Sequence, residues 1–167
     1  MKWGCIECGK EIPQEQEFCQ ECEDKQFRKI GGFLFLPLIG LFVTAFSYLV
    51  AMTEAFKTLT THYWNFTWDA KAFFISSLII YIVMFFFGVF VISLFFKKKK
   101  SLPRIYIYFL IAIIVTITIN TYLLHILIPD VKIGYNEIAP IIRNIITAFI
   151  WIPYFIISVR VKRTFIR

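Results

Sequence analysis

Residues 72–96 read AFFISSLIIYIVMFFFGVFVISLFF and contain no charged side chain. A helix of about 20 apolar residues crosses the hydrocarbon core of a bilayer, so this run is long enough for one crossing. Three further runs have the same character: residues 31–53, residues 105–128, and residues 141–159, which carry one charge. The chain is 59% hydrophobic, which would leave a water-soluble domain nowhere to bury its apolar surface. The sequence therefore predicts an all-α membrane protein, a bundle of four transmembrane helices.

Positive charges are concentrated on one side of this predicted bundle. Fourteen Lys and Arg residues precede the first run, separate the second from the third, or follow the fourth. The other four lie in or beside the two remaining loops: Lys57, Lys71, Lys132 and Arg143. Cytoplasmic loops of membrane proteins carry the excess of Lys and Arg. We therefore expect a multi-pass protein of the cytoplasmic membrane, in contact with membrane lipids, with both termini in the cytoplasm.

The four cysteines of the chain form two Cys-x-x-Cys pairs, Cys5 with Cys8 and Cys19 with Cys22. Each pair brings two thiolates to one ion, and four thiolates at the corners of a tetrahedron suit Zn²⁺. Disulfides would require an oxidising compartment, which conflicts with the expected cytoplasmic position. A dithiol redox site would need only one pair, at the start of a helix. The spacing therefore favours a structural zinc site.

Two resemblances follow from these residues. The stretches CIECGKEIP (residues 5–13) and FCQEC (residues 18–22) are similar to the short zinc ribbon at the N-termini of many bacterial membrane proteins. The remainder resembles the bacterial family known as domain of unknown function 2569, on the motifs GGFL (31–34), IGL (39–41), IWIPYF (150–155) and SVRVKRTF (158–165). This second resemblance covers about residues 30–166 and implies four membrane helices, but it brings no activity and no catalytic residues. We accordingly expect a cytoplasmic zinc ribbon at residues 1–29 and a transmembrane domain at residues 30–167.

The charge of the ribbon argues against nucleic acid as a partner. Residues 1–24 contain two Lys against seven Asp and Glu, a net charge of −5, and four thiolates with one Zn²⁺ bring the module to about −7. Such a surface repels phosphates. The net charge of +7 over the whole chain belongs to stretches that flank the membrane, where Lys and Arg set orientation and attract anionic lipid. Residues 97–100, four lysines, are interpreted as such an anchor, with a lipid headgroup or acidic partner as the alternative.

Few polar residues lie inside the predicted spans. Asn120 is the most polar deep residue, and we expect it to pair across a helix interface. His125, near the outer end of the third span, is interpreted as an interfacial hydrogen-bonding group that could titrate. Arg143 is the one ionised group expected partly within the bilayer. It reaches the headgroups, pairs with an acidic residue, or faces a cavity and binds an anionic headgroup.

Small and weakly polar residues recur at helical spacing in the spans, and we expect these stripes to form the helix contacts. The stripe of the first span is Gly40, Thr44, Ser47 and Ala51, and that of the second is Ser77, Tyr81, Met84 and Gly88.

Three classes of function follow from these features. The closed, acidic zinc module favours a non-catalytic adaptor or regulator whose ribbon binds a cytoplasmic protein. The alternative is a small transporter or lipid-handling protein that acts as a homo-oligomer, because four helices alone enclose only a narrow path. An enzyme is the least favoured class, since the sequence shows no nucleophile with its base, no paired carboxylates, no phosphate loop and no open metal position.

Overall fold

In a computed structural model of the chain, the described residues are 3–13, 17–22, 32–127 and 134–165. Two short antiparallel strands come first, β1 (Trp3–Gly4) and β2 (Glu11–Ile12). The 3-10 turn Gly32–Leu34 leads into four long helices and a short fifth: α1 (Phe35–His62), α2 (Trp68–Phe96), α3 (Leu102–Leu127), α4 (Tyr135–Ile157) and α5 (Val159–Thr164).

The helices α1 to α4 are each long and apolar enough to cross a membrane. Their surfaces are those of lipid-facing helices, because at most 28% of the most apolar window of any one of them is buried. Large apolar side chains point outward, with Phe46 66%, Phe86 64% and Phe149 78% exposed. Water would not tolerate that much apolar surface, whereas lipid does. The predicted fold, an all-α membrane protein with four spanning helices, is confirmed.

The helices near the first connection extend beyond the apolar runs. The first helix continues past Thr53 to His62, and α2 begins at Trp68. Helical backbone bonds do not depend on apolar side chains, so α1 continues to its C-cap at Tyr63. The start of α2 is set by its N-cap Thr67, whose hydroxyl oxygen accepts from the Ala70 amide at 3.4 Å. The connection between α1 and α2 is therefore confined to residues 63–67.

The end of α4 is defined by Ser158, whose backbone is extended (φ −60°, ψ 120°). Its N–H donates to the Tyr154 carbonyl at 3.0 Å, and its hydroxyl oxygen accepts from the Val161 amide at 3.5 Å. One residue thus closes α4 and begins α5, so the chain bends where the fourth apolar run was expected to continue to residue 159.

Consecutive helices pack against one another, α1 with α2, α2 with α3, and α3 with α4. The most deeply buried side chains lie where α2 ends and α3 begins, which we call the core end of the bundle: Leu34, Val91, Phe95, Leu102, Phe109, Phe155, Val161 and Phe165. Here the rings of Phe95 and Phe165 meet edge to face with their centroids 5.2 Å apart, and those of Tyr106 and Phe155 stack with their centroids 4.4 Å apart. The segment after Ser158 therefore completes the core.

The predicted contact stripes of small residues in the first two spans were correct for α2 and wrong for α1. In α2 the prediction is correct, since Ser77, Met84 and Gly88 are buried. In α1 it is wrong, because Gly40 and Ser47 are exposed and the packed face is Leu38, Leu41, Ala45 and Tyr48. The hydroxyl of Ser47 donates to its own helix, to the Val43 carbonyl at 2.9 Å. A hydroxyl satisfied in this way needs no partner helix and can face lipid.

The turn between α2 and α3 places a lysine in a backbone conformation that glycine normally adopts. Lys98 has φ 51°, in the left-handed region where a Cβ atom costs about 1–2 kcal/mol. Backbone bonds close the helix end around it: the Lys98 amide donates to Phe95 at 3.2 Å and the Lys99 amide to Leu94 at 3.3 Å. This is the arrangement of a glycine-type helix C-cap.

We therefore expect Lys98→Gly to raise the free energy of unfolding by about 0.5–1 kcal/mol, because glycine relieves the strain while gaining freedom in the unfolded chain. Detergent or SDS titration of the purified protein measures the change. Lys98→Ala removes the same charge but keeps a Cβ atom, so it should bring no such gain. Equal stabilisation by both variants would contradict the assignment to backbone strain.

Candidate functional site

The turn that carries the first cysteine pair, Cys5 and Cys8, is held by the small sheet. The Cys5 amide donates to the Lys10 carbonyl and the Gly9 amide to the Cys5 carbonyl, both at 2.8 Å. Gly9 has φ +72°, a conformation that residues with a side chain rarely adopt. The strand pair β1 and β2 thereby folds residues 5–9 into a tight loop with Cys5 and Cys8 at its ends.

The second turn lies against the first. The Ile6 amide donates to the Glu17 carbonyl at 3.2 Å, and the Cys22 amide to the Cys19 carbonyl at 3.0 Å. The Cys19 amide donates across to the Cys5 sulfur at 3.2 Å, the kind of N–H···S contact that stabilises a thiolate. The Ile6–Glu17 and Cys19–Cys5 hydrogen bonds therefore bring the two cysteine pairs together.

All four sulfur atoms lie within 4.8 Å of one another, and the Sγ atoms of Cys8 and Cys19 are 3.4 Å apart. A tetrahedral ion with metal–sulfur distances of about 2.3 Å requires sulfur atoms about 3.8 Å apart. The observed separations bracket that value, so the cluster fits one metal ion. Cys5 and Cys22 are buried while Cys8 is exposed, which places the cluster at the edge of the module.

The thiols are electrostatically unequal. Hydrogen bonding from the Cys19 backbone lowers the pKa of Cys5 to about 6. The pKa of Cys22 is raised, first by hydrogen bonding with the Cys19 thiol, then with Cys8, and then by burial. Four adjacent thiols cannot all ionise without a compensating charge, which a bound dication supplies. Because four sulfur ligands fill a tetrahedron, the arrangement is able to hold an ion and would then leave no open position on it for a reacting molecule.

The exposed surface around the cluster is acidic. Four described glutamates of the module are exposed: Glu7, Glu11, Glu17 and Glu21. Lys10 binds Glu21 at 2.6 Å, but both side chains are more than half exposed, so this ion pair contributes little to stability. Ile6, at the tip of the first turn, is 74% exposed. The module therefore presents an apolar side chain within a field of negative charge.

A second polar site lies inside the helix bundle and centres on Asn120. Its Oδ1 accepts from the Ser77 hydroxyl, and its Nδ2 donates to the Tyr81 hydroxyl, both at 2.9 Å. Asn120 is seven residues from the end of α3, about 10 Å from that end at 1.5 Å per residue. This side chain therefore joins α2 to α3 within the span, and the pairing across a helix interface is present.

A cavity of about 230 Å³ lies beside this network and is bordered by all four long helices. Its polar lining includes Tyr48, Tyr81, Thr116 and Asn120, its apolar lining includes Phe73, and Glu137 lines it from the first turn of α4. The cavity lies towards the opposite end of the bundle from the core end, where α2 begins and α3 ends; we call this the cavity end. Glu137 Oε2 accepts from the Gly134 amide at 2.8 Å and so also fixes the start of α4.

The other two candidate residues do not join this site. Arg143 is exposed on α4, does not line the cavity, and forms no ion pair with any carboxylate in the described part of the chain. His125 is exposed in the last turn of α3. Both positions are those of side chains that reach the headgroup region, and their functional roles stay predictions.

Sequence reasoning did not find Tyr48 or Glu137 as lining residues. The signal for Tyr48 was present, since it follows Leu41 by seven residues and Ala45 by three, on the face that packs against α2. A tyrosine on the packed face of a membrane helix needs a polar partner, and the Tyr48 side chain interacts with that of Thr116.

The fold and these two sites define a four-helix membrane protein with an N-terminal cluster of four cysteines able to hold a metal ion. The family comparison matches residues 27–166, which include every membrane helix, with the family described as "Protein of unknown function (DUF2569)". The chain belongs to that family, and the expected membership is confirmed. No curated protein and no solved structure matches the chain.

Proposed function

We propose that the protein is a non-catalytic membrane adaptor or regulator whose N-terminal module binds Zn²⁺ and docks a cytoplasmic protein. The four helices supply the membrane anchor. Lys and Arg are concentrated before α1, between α2 and α3, and after α4, which favours a cytoplasmic position for both termini. The family membership brings no activity that would compete with this proposal. Four sulfur ligands leave no catalytic position, which supports a binding role over an enzymatic one.

Zinc is the proposed ion because of the chemistry of the ligands. Thiolates favour soft or borderline metals, and a tetrahedron of four sulfurs selects zinc or an iron centre. Zinc has no redox chemistry and holds small modules that cannot fold on an apolar core alone. The two strands contain only two residues each, so a bound ion would supply most of the stability of this module.

The observation that carries the adaptor proposal is the exposed Ile6 among exposed glutamates. Burying an apolar side chain at the centre of an interface, inside a rim of complementary charge, is how protein partners gain affinity and specificity. The surface fits a partner with an apolar pocket inside a basic rim. Nucleic acid lacks the positive charge that this surface requires, so we propose a protein partner.

We expect Ile6→Asp and the charge reversal Glu17→Lys each to lower the recovery of cytoplasmic partners about tenfold or more, the usual effect of removing a central contact. Cross-linking in cells followed by purification of the full chain measures this recovery. Cys19→Ser should abolish it while the helices stay inserted. Gln20→Ser changes an exposed residue between the second pair of cysteines and serves as the matched control. An unchanged set of partners in Ile6→Asp and Cys19→Ser would refute the adaptor role.

A second candidate function is favoured by the cavity: transport or lipid handling by an oligomer of this chain. Membrane binding sites for small molecules combine apolar walls with a few buried polar groups, as this cavity does. Four helices enclose little more than the cavity itself, so a continuous path requires further copies. The exposed apolar face of α4, with Phe149 78% and Ile157 72% exposed, is available for lipid or for such a copy.

In proteoliposomes, this second function predicts flux or lipid exchange above that of empty vesicles. Asn120→Leu should abolish it, because Ser77 and Tyr81 lose their shared partner and the cavity loses its polar floor. Thr118→Leu is the control, since Thr118 is exposed on the same helix and its hydroxyl donates only to its own backbone, at the Ile114 carbonyl. Activity equal to that of empty vesicles would exclude this candidate.

A further inference from the structure

The cavity at the cavity end has the size of a site for a small ligand. Its volume is about 230 Å³, whereas an apolar cavity of about 150 Å³ is enough to bind benzene. A single ring with a small substituent, or a lipid headgroup with the start of its chain, therefore fits, and a whole lipid does not. Because all four helices contribute to the lining, closing or filling the cavity involves the whole bundle.

The charge and aromatic content of the lining indicate the class of ligand. Among the described residues that border the cavity, Glu137 is the only one with a formal charge, and none is Lys, Arg or His. Three aromatic rings line it as well: Tyr48, Phe73 and Tyr81. The faces of aromatic rings attract cations, most strongly where water is excluded. Among these described residues, an anionic group would meet a carboxylate and no positive partner.

The hydrogen-bonding groups agree with this reading. Asn120 Oδ1 accepts one bond, from Ser77, and an amide oxygen has two lone pairs. Glu137 Oε2 accepts from the Gly134 amide, and within the described residues Oε1 is the oxygen left for a ligand. An ammonium group offers donors and a positive charge but no acceptor, and therefore matches oxygen acceptors beside aromatic faces.

We propose that this cavity binds an ammonium group carried on a small apolar body. The inference deepens the second candidate function and rests on it, because it names the ligand class of the same site. The ammonium belongs either to the headgroup of a membrane lipid or to a free lipophilic amine. Glu137 supplies the counter-charge, Tyr48, Phe73 and Tyr81 supply the aromatic wall, and the Asn120 network fixes the floor.

The test uses the full chain in nanodiscs of phosphatidylglycerol, with benzylammonium as the probe and calorimetry as the measurement. Ethylbenzene, of the same shape without the charge, is the matched ligand. The ammonium should bind about tenfold more tightly than the neutral compound, and Glu137→Gln should weaken it about five- to tenfold. Glutamine keeps an acceptor for the Gly134 amide, so the start of α4 is retained. Asp69→Asn, which removes an acid from the first turn of α2 outside the lining, should leave binding unchanged.

The proposal is overturned if the two ligands bind equally, if no binding of the ammonium is detected, or if Glu137→Gln has no effect. An equal loss in Asp69→Asn also overturns it, because the effect would then be one of surface potential. Should Glu137→Gln fail to fold, Phe73→Leu tests the aromatic wall with the same two ligands. Competition by added phosphatidylethanolamine assigns the ammonium to lipid headgroups, whereas its absence assigns it to a free amine. Binding without flux in proteoliposomes would refute the transport function and keep the site.

Discussion

Detergent-purified protein is expected to contain about one zinc ion per chain, and the double variant Cys5→Ser/Cys8→Ser about none. Two remaining thiolates cannot hold the ion against water, since structural zinc sites depend on the complete set of ligands. The two short strands should then lose their order, because without the ion the described residues of the two turns are joined by only a few hydrogen bonds and the exposed Lys10–Glu21 ion pair. Elemental analysis measures the metal, and proteolysis of the N-terminal module measures its loss of structure.

The matched control for this result is Glu7→Ser, which introduces serine into the same turn without removing a ligand, and should retain the metal. Labelling of the cysteines in intact cells adds the position of the module, which we expect to be shielded from reagents applied outside. Metal retained by the double variant would show that the cluster does not bind it. Thiols that hold no zinc, or that react from outside, would instead indicate a disulfide or redox module and reverse the proposed orientation.

A large loss of stability is expected on substitution of Gly88 by a bulky residue, because α1, α2 and α3 meet there. A Cβ atom built there would lie 3.5 Å from the Phe109 ring and 3.9 Å from the Cβ atom of Ala45, both ordinary contact distances. Gly88→Ala should therefore be accommodated. Gly88→Leu adds three further carbon atoms where no space remains, so it forces the helices apart and should lower the free energy of unfolding by about 1–3 kcal/mol.

Gly40→Leu provides the control for Gly88→Leu, because no atom lies within 4 Å of a Cβ atom at Gly40 and the position is exposed. Unfolding by SDS titration compares the two leucine variants at equal change in size. Similar losses would show that the effect does not depend on the contacts at Gly88, and would contradict close packing there.

The spanning helices were predictable because hydrocarbon imposes one requirement, a long uncharged run, which a single sequence displays directly. The cysteine cluster was predictable for a similar reason, since the ligands of each turn are close neighbours in the sequence. In both cases the information is local. The helix ends were less predictable: α1 continues to His62 through polar residues, because the backbone hydrogen bonds of a helix do not require apolar side chains.

The cavity could not be derived in this way. Its lining comes from four helices, and Glu137 and Tyr48 contribute through the rotation of each helix about its axis, which lipid-exposed sequences scarcely constrain. In water, the apolar face of a helix marks its inward side, but here apolar side chains cover both the packed and the lipid-facing sides. The same ambiguity explains the wrong prediction for Gly40 and Ser47, whose small size matched a contact face.

The strained lysine at the second turn has a consequence for biogenesis. The orientation of two connected helices is set while the chain is being inserted into the bilayer, before its helices pack. The positive charge of the connecting loop influences that orientation. The conformation of Lys98 matters only later, when the turn closes. A lysine in the position of glycine therefore weakens the finished protein slightly but contributes to the earlier choice of orientation. Selection at that residue would act on the fidelity of insertion more than on the lifetime of the folded state.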